Sequence, residues 1–234
     1  MLVVFGFAGL DYLIRRGKYW NLPQRSQWLK KWSSTLVSGM GFDIHVIGTP
    51  PEKGFVAPNH QSYMDILVLS SVTNLNFLSK SEVRKWPLIG KYTEMAGTVF
   101  IDRSRKRDVA NKNDAFGRAI DESVSLTIFL EGTSTNGEEV LSYRSSLLQP
   151  MVENDWPITP VYIKYDCVGG SVADEVCWWG DAEFTPHLVN MLALPRVSAT
   201  IVFGEMRTVG GRDRKELAVE LREDVLRLRK QVES

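Results

Sequence analysis

Short apolar runs rich in β-branched and aromatic residues recur along the chain as "FDIHVIG", "FVAP", "LNFLS", "GTVFID", "SLTIFL", "ITPVYIKYD" and "VSATIVFGE". Stretches that can be helical separate them. This alternation constrains the fold most, because strands interleaved with helices form a sheet covered by helices. The expected class is α/β, a mixed β-sheet flanked by helices. At 234 residues the chain fits one such domain and can bury a sizeable core.

Helices are expected over Ser62 to Ser71, Asp108 to Glu122, and from Arg212 onward, where Leu217, Leu221, Val225 and Leu228 form an apolar stripe. Another should open at "TPHLVNMLAL", with Thr185 as N-cap and Pro186 in the first helical position.

The N-terminal part differs in charge. The net charge is zero, yet no acidic residue occurs from Tyr12 to Phe42, where Arg15, Arg16, Lys18, Arg25, Lys30 and Lys31 are basic. The run "LVVFGFAGLDYLI" is shorter than the ~20 apolar residues that span a bilayer, and Asp11 interrupts it. Its basic residues follow rather than precede it, unlike a secretory signal. Next, Trp28, Leu29, Trp32 and Leu36 recur at helical spacing opposite Lys30 and Lys31, a basic amphipathic pattern suited to an anionic membrane surface. We therefore expect residues 1–41 to form a membrane-associating helical segment and 42–234 the catalytic domain. The alternative is a helix packed on the core with a solvated basic face.

Cys167 and Cys177 lie too far apart for a CxxC element, and neither has a histidine at metal-ligand spacing, so no metal site or disulfide is expected. A reducing, cytosol-facing setting is the simplest reading. "LIGKY" lacks the P-loop glycine and no GxGxxG occurs, which removes the usual nucleotide signatures. Basic residues that accompany an apolar stripe do not suggest a nucleic-acid partner.

Of three histidines, His60 occupies a distinctive place: after the strand-like "FVAP", ahead of a helical run, with Asp65 five residues on. The carboxyl edge of an α/β sheet is where sites gather. Within one helix, five residues would turn Asp65 ~140° from His60. Pairing therefore needs His60 outside the helix. With Ser62 as N-cap of a Ser-x-x-Asp capping box, Asp65 in the first turn can reach back to the imidazole, fix its tautomer and leave the other nitrogen as a base.

Further segments follow in order. Asn59, His60 and Asp65 match N-H-x-x-x-x-D; "GTVFIDR" spans Gly97 to Arg103; "FLEGT" spans Phe129 to Thr133; "ITPVYI" contains Pro160. With these four blocks the sequence resembles the glycerolipid acyltransferase family from about Phe55 to Tyr165. The resemblance implies the family's fold and transfer of a fatty acyl group from acyl-CoA or acyl-ACP to a lysolipid hydroxyl, with no cofactor beyond that co-substrate. It makes His60 and Asp65 the catalytic pair, and Asn59, Gly97, Arg103, Glu131, Gly132, Thr133 and Pro160 the substrate-binding residues. Arg103 would meet an acceptor phosphate, Glu131 acceptor hydroxyls, and Pro160 the acyl chain. The expected setting is the cytoplasmic face of a membrane. The first acceptor in view is 1-acylglycerol-3-phosphate. Leu130 departs from the family's proline, and Ser134 stands where many phosphate-handling members have arginine. "YRSSLLQP" and "CWWGDAEFTPHL" resemble a branch that includes lyso-ornithine lipid acyltransferases, the alternative acceptor class. A thioester hydrolase or a silent lipid-binding protein would be other outcomes.

Overall fold

The structure, a computed structural model, describes residues 2–15, 20–86, 89–101, 113–122 and 124–233. In chain order these form α1 (Leu2–Arg15), α2 (Leu22–Gly39), β1 (Phe42–Ile47), β2 (Phe55–Pro58), α3 (Met64–Val72), β3 (Leu75–Lys80), α4 (Ile89–Met95), β4 (Val99–Ile101), α5 (Asn113–Asp121), β5 (Ser125–Thr127), α6 (Gln149–Asn154), β6 (Ile158–Val168), α7 (Phe184–Leu192), β7 (Arg196–Phe203) and α8 (Arg214–Glu233). Residues 108–112 of the expected Asp108–Glu122 helix lie outside the described residues.

The strands form one sheet in the order β1-β7-β6-β2-β5-β3-β4. All neighbouring pairs are parallel except β6 with β7, so the sheet is mixed. Period-two alternation sorts side chains into two cores. Phe55 and Ala57 of β2 and Tyr162 of β6 pack with Leu217, Leu221 and Val225 of α8. Val56 of β2 and Val161, Ile163 and Tyr165 of β6 pack with Met64, Val68 and Leu69 of α3 and Val37 of α2. Both faces of β2 are thus covered, which is why it reads as a continuous apolar run.

Pro160 sits inside β6 opposite Ala57, although a proline removes a ladder donor. The antiparallel pairing of β6 with β7 begins only at Val161, opposite Phe203, and the Gly204 N–H donates to the Pro160 carbonyl at 2.9 Å. The proline therefore marks the end of the β7 ladder. α7 begins at Phe184 with Glu183 at its N-cap, so Thr185 is already helical and Pro186 lies inside the first turn.

The N-terminal helices correct one expectation. The tryptophan stripe of α2 faces protein, because Trp28 is 4% exposed, its Nε1–H donates to the Ala8 carbonyl at 3.2 Å, and its ring stacks on Tyr92. Trp32 Nε1–H donates to Asp11 Oδ2 at 2.9 Å. Asp11, which interrupts the apolar run in sequence, lies on the α2-facing side of α1 and also meets Arg15 and Lys31. Phe7, Leu10, Leu13 and Ile14 instead line an exposed face of α1, with Ile14 74% exposed. Helical spacing put the α2 set on a one-sided stripe but could not say what would cover it. Among the described residues no helix is long and apolar enough to cross a membrane.

Candidate active site

β2 ends at Pro58, and the next residues leave the sheet plane without stranding the neighbouring backbone. The Asn59 amide accepts from Ile163 N–H at 2.7 Å and donates to the Ile163 carbonyl at 3.0 Å, while Gln61 Nε2 donates to the same carbonyl at 2.8 Å. Side chains thus continue the ladder that the β2 backbone has abandoned. Asn59 is 3% exposed with both amide atoms used in this way, so it positions the loop rather than meeting substrate.

His60 lies at the start of that loop, outside α3. Its Nδ1 is 2.7 Å from Asp65 Oδ2 in the first turn of the helix. Asp65 is fully buried. Its Oδ2 also accepts from the backbone N–H groups of Gln61 at 2.7 Å and Ser62 at 3.0 Å, and its Oδ1 from the Tyr165 hydroxyl at 2.7 Å. An ionised carboxylate can only accept, so the imidazole proton sits on Nδ1 and Nε2 carries the lone pair. Among the described residues Nε2 has no hydrogen-bond partner, and the His60 side chain keeps 21% exposure.

The capping differs from expectation. Tyr63 holds the N-cap position without a side-chain bond, and the Ser62 hydroxyl is buried with no partner. Half of the expected box is present, since the Asp65 carboxylate reaches back to the Ser62 N–H, but the Ser62 side chain makes no return bond among the described residues.

Glu131 follows β5 at the same sheet edge. Its Oε1 accepts from the His60 backbone N–H at 2.8 Å and its Oε2 from Leu141 N–H at 2.7 Å. Both oxygens therefore hold loops. Burial, aided by the Asp65 charge, raises its pKa from 4.5 to about 7 against the pull of those two N–H groups. Phe129 stacks on the His60 ring at 3.9 Å between centroids, and the His60 carbonyl accepts from Thr135 N–H at 3.0 Å. The imidazole is thus fixed through its ring face, its Nδ1 and both backbone polar groups.

Gly132 has φ +78°, and a Cβ there would come 2.3 Å from Arg144 Nε. Only glycine fits this turn. Thr133 is exposed beside it. Gly97 turns the chain from α4 into β4, with space for a Cβ closed off by Asn76 Nδ2 at 2.7 Å. Gly97 and Pro160 thus serve local backbone packing, and Arg103 lies outside the described residues. Among the described residues no cluster of His, Cys, Asp or Glu could hold a metal ion.

Two polar residues escaped sequence reading. Tyr165 is buried, and burial with the Asp65 charge beside it pushes its phenol well above the ordinary range, so it remains a donor to Asp65. A hydroxyl in the inward row Val161, Ile163, Tyr165 was the available signal. His187 receives the Tyr63 hydroxyl at Nδ1 (3.0 Å) and places Nε2 against the Cys177 carbonyl (2.9 Å); burial lowers its pKa, consistent with a neutral structural ring.

Comparison with known proteins decides the family: residues 44–164 match the family model "Acyltransferase". The chain belongs to the acyltransferase family. It is 34% identical to a lyso-ornithine lipid O-acyltransferase of Pseudomonas aeruginosa over 84% of this chain and 76% of that protein. A second lyso-ornithine lipid O-acyltransferase, from Brucella abortus, is 29% identical over 93% and 88%. A 1-acyl-sn-glycerol-3-phosphate acyltransferase of Neisseria gonorrhoeae is 31% identical over 49% and 45%. The crystal structure of the 1-acyl-sn-glycerophosphate acyltransferase PlsC from Thermotoga maritima superposes with a TM-score of 0.70 at 20% identity, covering 98% of this acyltransferase and 88% of that chain, and so shares its fold.

Proposed function

We propose that this acyltransferase moves a fatty acyl group from a carrier thioester, acyl-CoA or acyl-ACP, to the free hydroxyl of a lysolipid. The observation that carries the reading is the His60–Asp65 pair, with Nε2 free, at the carboxyl edge of the sheet in a member of this family. His60 Nε2 takes the acceptor hydroxyl proton as that oxygen attacks the thioester carbonyl. The C–O bond forms, the C–S bond breaks, and the proton passes from the imidazolium to the leaving thiolate. Asp65 balances the imidazolium charge, and Tyr165 holds Asp65 in line.

Two acceptors follow from the relatives. 1-Acylglycerol-3-phosphate is supported by the neisserial relative, while a lyso-ornithine lipid is supported by relatives that match most of this chain. The breadth of the second match favours the lyso-ornithine lipid. For membrane contact on the cytoplasmic side the reading uses the exposed α1 face of Phe7, Leu10, Leu13 and Ile14.

Purified wild type and His60→Ala, each with acyl-CoA or acyl-ACP, are to be tested against both lysolipids with mass-spectrometric detection of product. A general base contributes about 10²–10⁴-fold, so His60→Ala should fall by at least that order while remaining folded. Near-normal turnover in a folded variant defeats the mechanism. Thioester cleavage that needs no lysolipid would make the protein a hydrolase instead.

A further inference from the structure

The segments that leave the sheet after β3 and after β6 meet at two indoles. Trp86 and Trp178 lie edge to face with centroids 5.8 Å apart, and Trp178 meets Tyr63 at 5.9 Å. In the sheet, β2 and β5 lie between β6 and β3. The indole pair therefore bridges the two strands whose carboxyl ends carry His60 and Glu131. It is also tied to the catalytic loop, since Trp178 N–H donates to the Gln61 carbonyl at 2.8 Å and the Ser134 hydroxyl to the Trp178 carbonyl at 2.5 Å.

Trp178 is half-buried, with Tyr63 and Trp86 each meeting it edge to face, and Trp86 is the more open of the pair. Trp178 Nε1–H is already used by the Ala182 carbonyl at 2.8 Å, so it cannot donate to an anionic headgroup, whereas an indole face attracts cations. Trp86 is 36% exposed, more than a ring kept only for packing requires. Charge on the β6 side agrees: from Gly169 to Pro195 there are Asp174, Glu175, Asp181 and Glu183 and no lysine or arginine. Ser134, bonded to the Trp178 carbonyl, adds no cation. The β3 side carries Lys80, Arg84 and Lys85 against Glu82, with Arg84 paired to Glu94, and is basic on balance. An acidic, aromatic abutment facing a basic one suits a headgroup with an ammonium and a carboxylate better than a phosphate dianion.

We propose that Trp178, with Trp86, is a specificity-determining residue that reads the ammonium of a zwitterionic, amino-acid-bearing acceptor through its indole face. This rests on the lysolipid O-acyltransferase reading above and narrows its acceptor class. The test compares kcat/KM for a lyso-ornithine lipid, the same lipid with its free amine acetylated, and lysophosphatidate, in wild type, Trp178→Leu and Trp178→Phe. Wild type should prefer the free amine over the acetylated lipid by roughly three- to thirtyfold, the range of a cation–π contact. Trp178→Leu should bring that ratio close to one, and Trp178→Phe should retain part of it. A ratio near one in wild type, or one unchanged in both variants, overturns the proposal. So does turnover of lysophosphatidate alone, which leaves the acyltransferase reading standing. Turnover of none of the three lipids instead removes that reading, and the proposal with it.

Discussion

Replacing Glu131 by Gln isolates the cost of keeping a carboxylate where two loops converge. Its folded pKa of about 7 stands above the ordinary 4.5. The folded protein therefore binds this proton more tightly than the unfolded chain, so the group's contribution is most favourable below the unfolded pKa and is lost as pH rises to the folded value. The gap corresponds to ~3 kcal/mol, of which about 2 kcal/mol falls between pH 5.5 and 8. Gln removes the charge but turns an N–H donor toward one of two N–H groups, His60 or Leu141. That misfit costs about 1–3 kcal/mol at every pH and cancels when slopes are compared. Urea denaturation of both proteins at pH 5.5 and 8 should show wild type losing about 2 kcal/mol relative to the variant across that interval. Parallel stability curves for the two proteins would refute the argument, because no other titrating group differs between them.

Tyr165→Phe removes one donor from the buried Asp65 carboxylate, and a hydrogen bond to a charged group is worth about 1.5–3 kcal/mol, so stability should fall by that order and kcat should drop with KM little changed; an unchanged kcat would mean the backbone donors hold Asp65 without Tyr165. Phe7→Glu with Leu10→Glu should abolish co-sedimentation with anionic vesicles while leaving the circular dichroism spectrum unchanged, since both side chains are more than half exposed. Undiminished vesicle binding would take the membrane contact away from α1.

The alternation of strands and helices was legible because buried strands and one-sided helices leave opposite periodicities, and the α8 stripe of Leu217, Leu221, Val225 and Leu228 is buried throughout. The His60–Asp65 relation was legible because only five positions separate a loop residue from the first turn of the helix that follows. Glu131 was visible as a site residue, but its partner atoms are the backbones of His60 and Leu141, and backbone groups carry no residue-specific signal. Tyr165 reaches Asp65 from a strand 100 positions away, a distance across which spacing says nothing. Trp28 was read as membrane-facing, yet it is buried, because a stripe reveals that one side is apolar, not what covers it.

The side-chain continuation of β2 gives the catalytic loop a reporter outside itself. The Ile163 amide is protected by the Asn59 side chain, not by another strand's backbone. Its hydrogen exchange therefore follows opening of the Asn59–Gln61 segment, whereas the flanking β6 amides follow opening of the sheet. An Ile163 amide that exchanges faster than its neighbours would measure, with no lipid or thioester present, how often the loop bearing His60 leaves its working position.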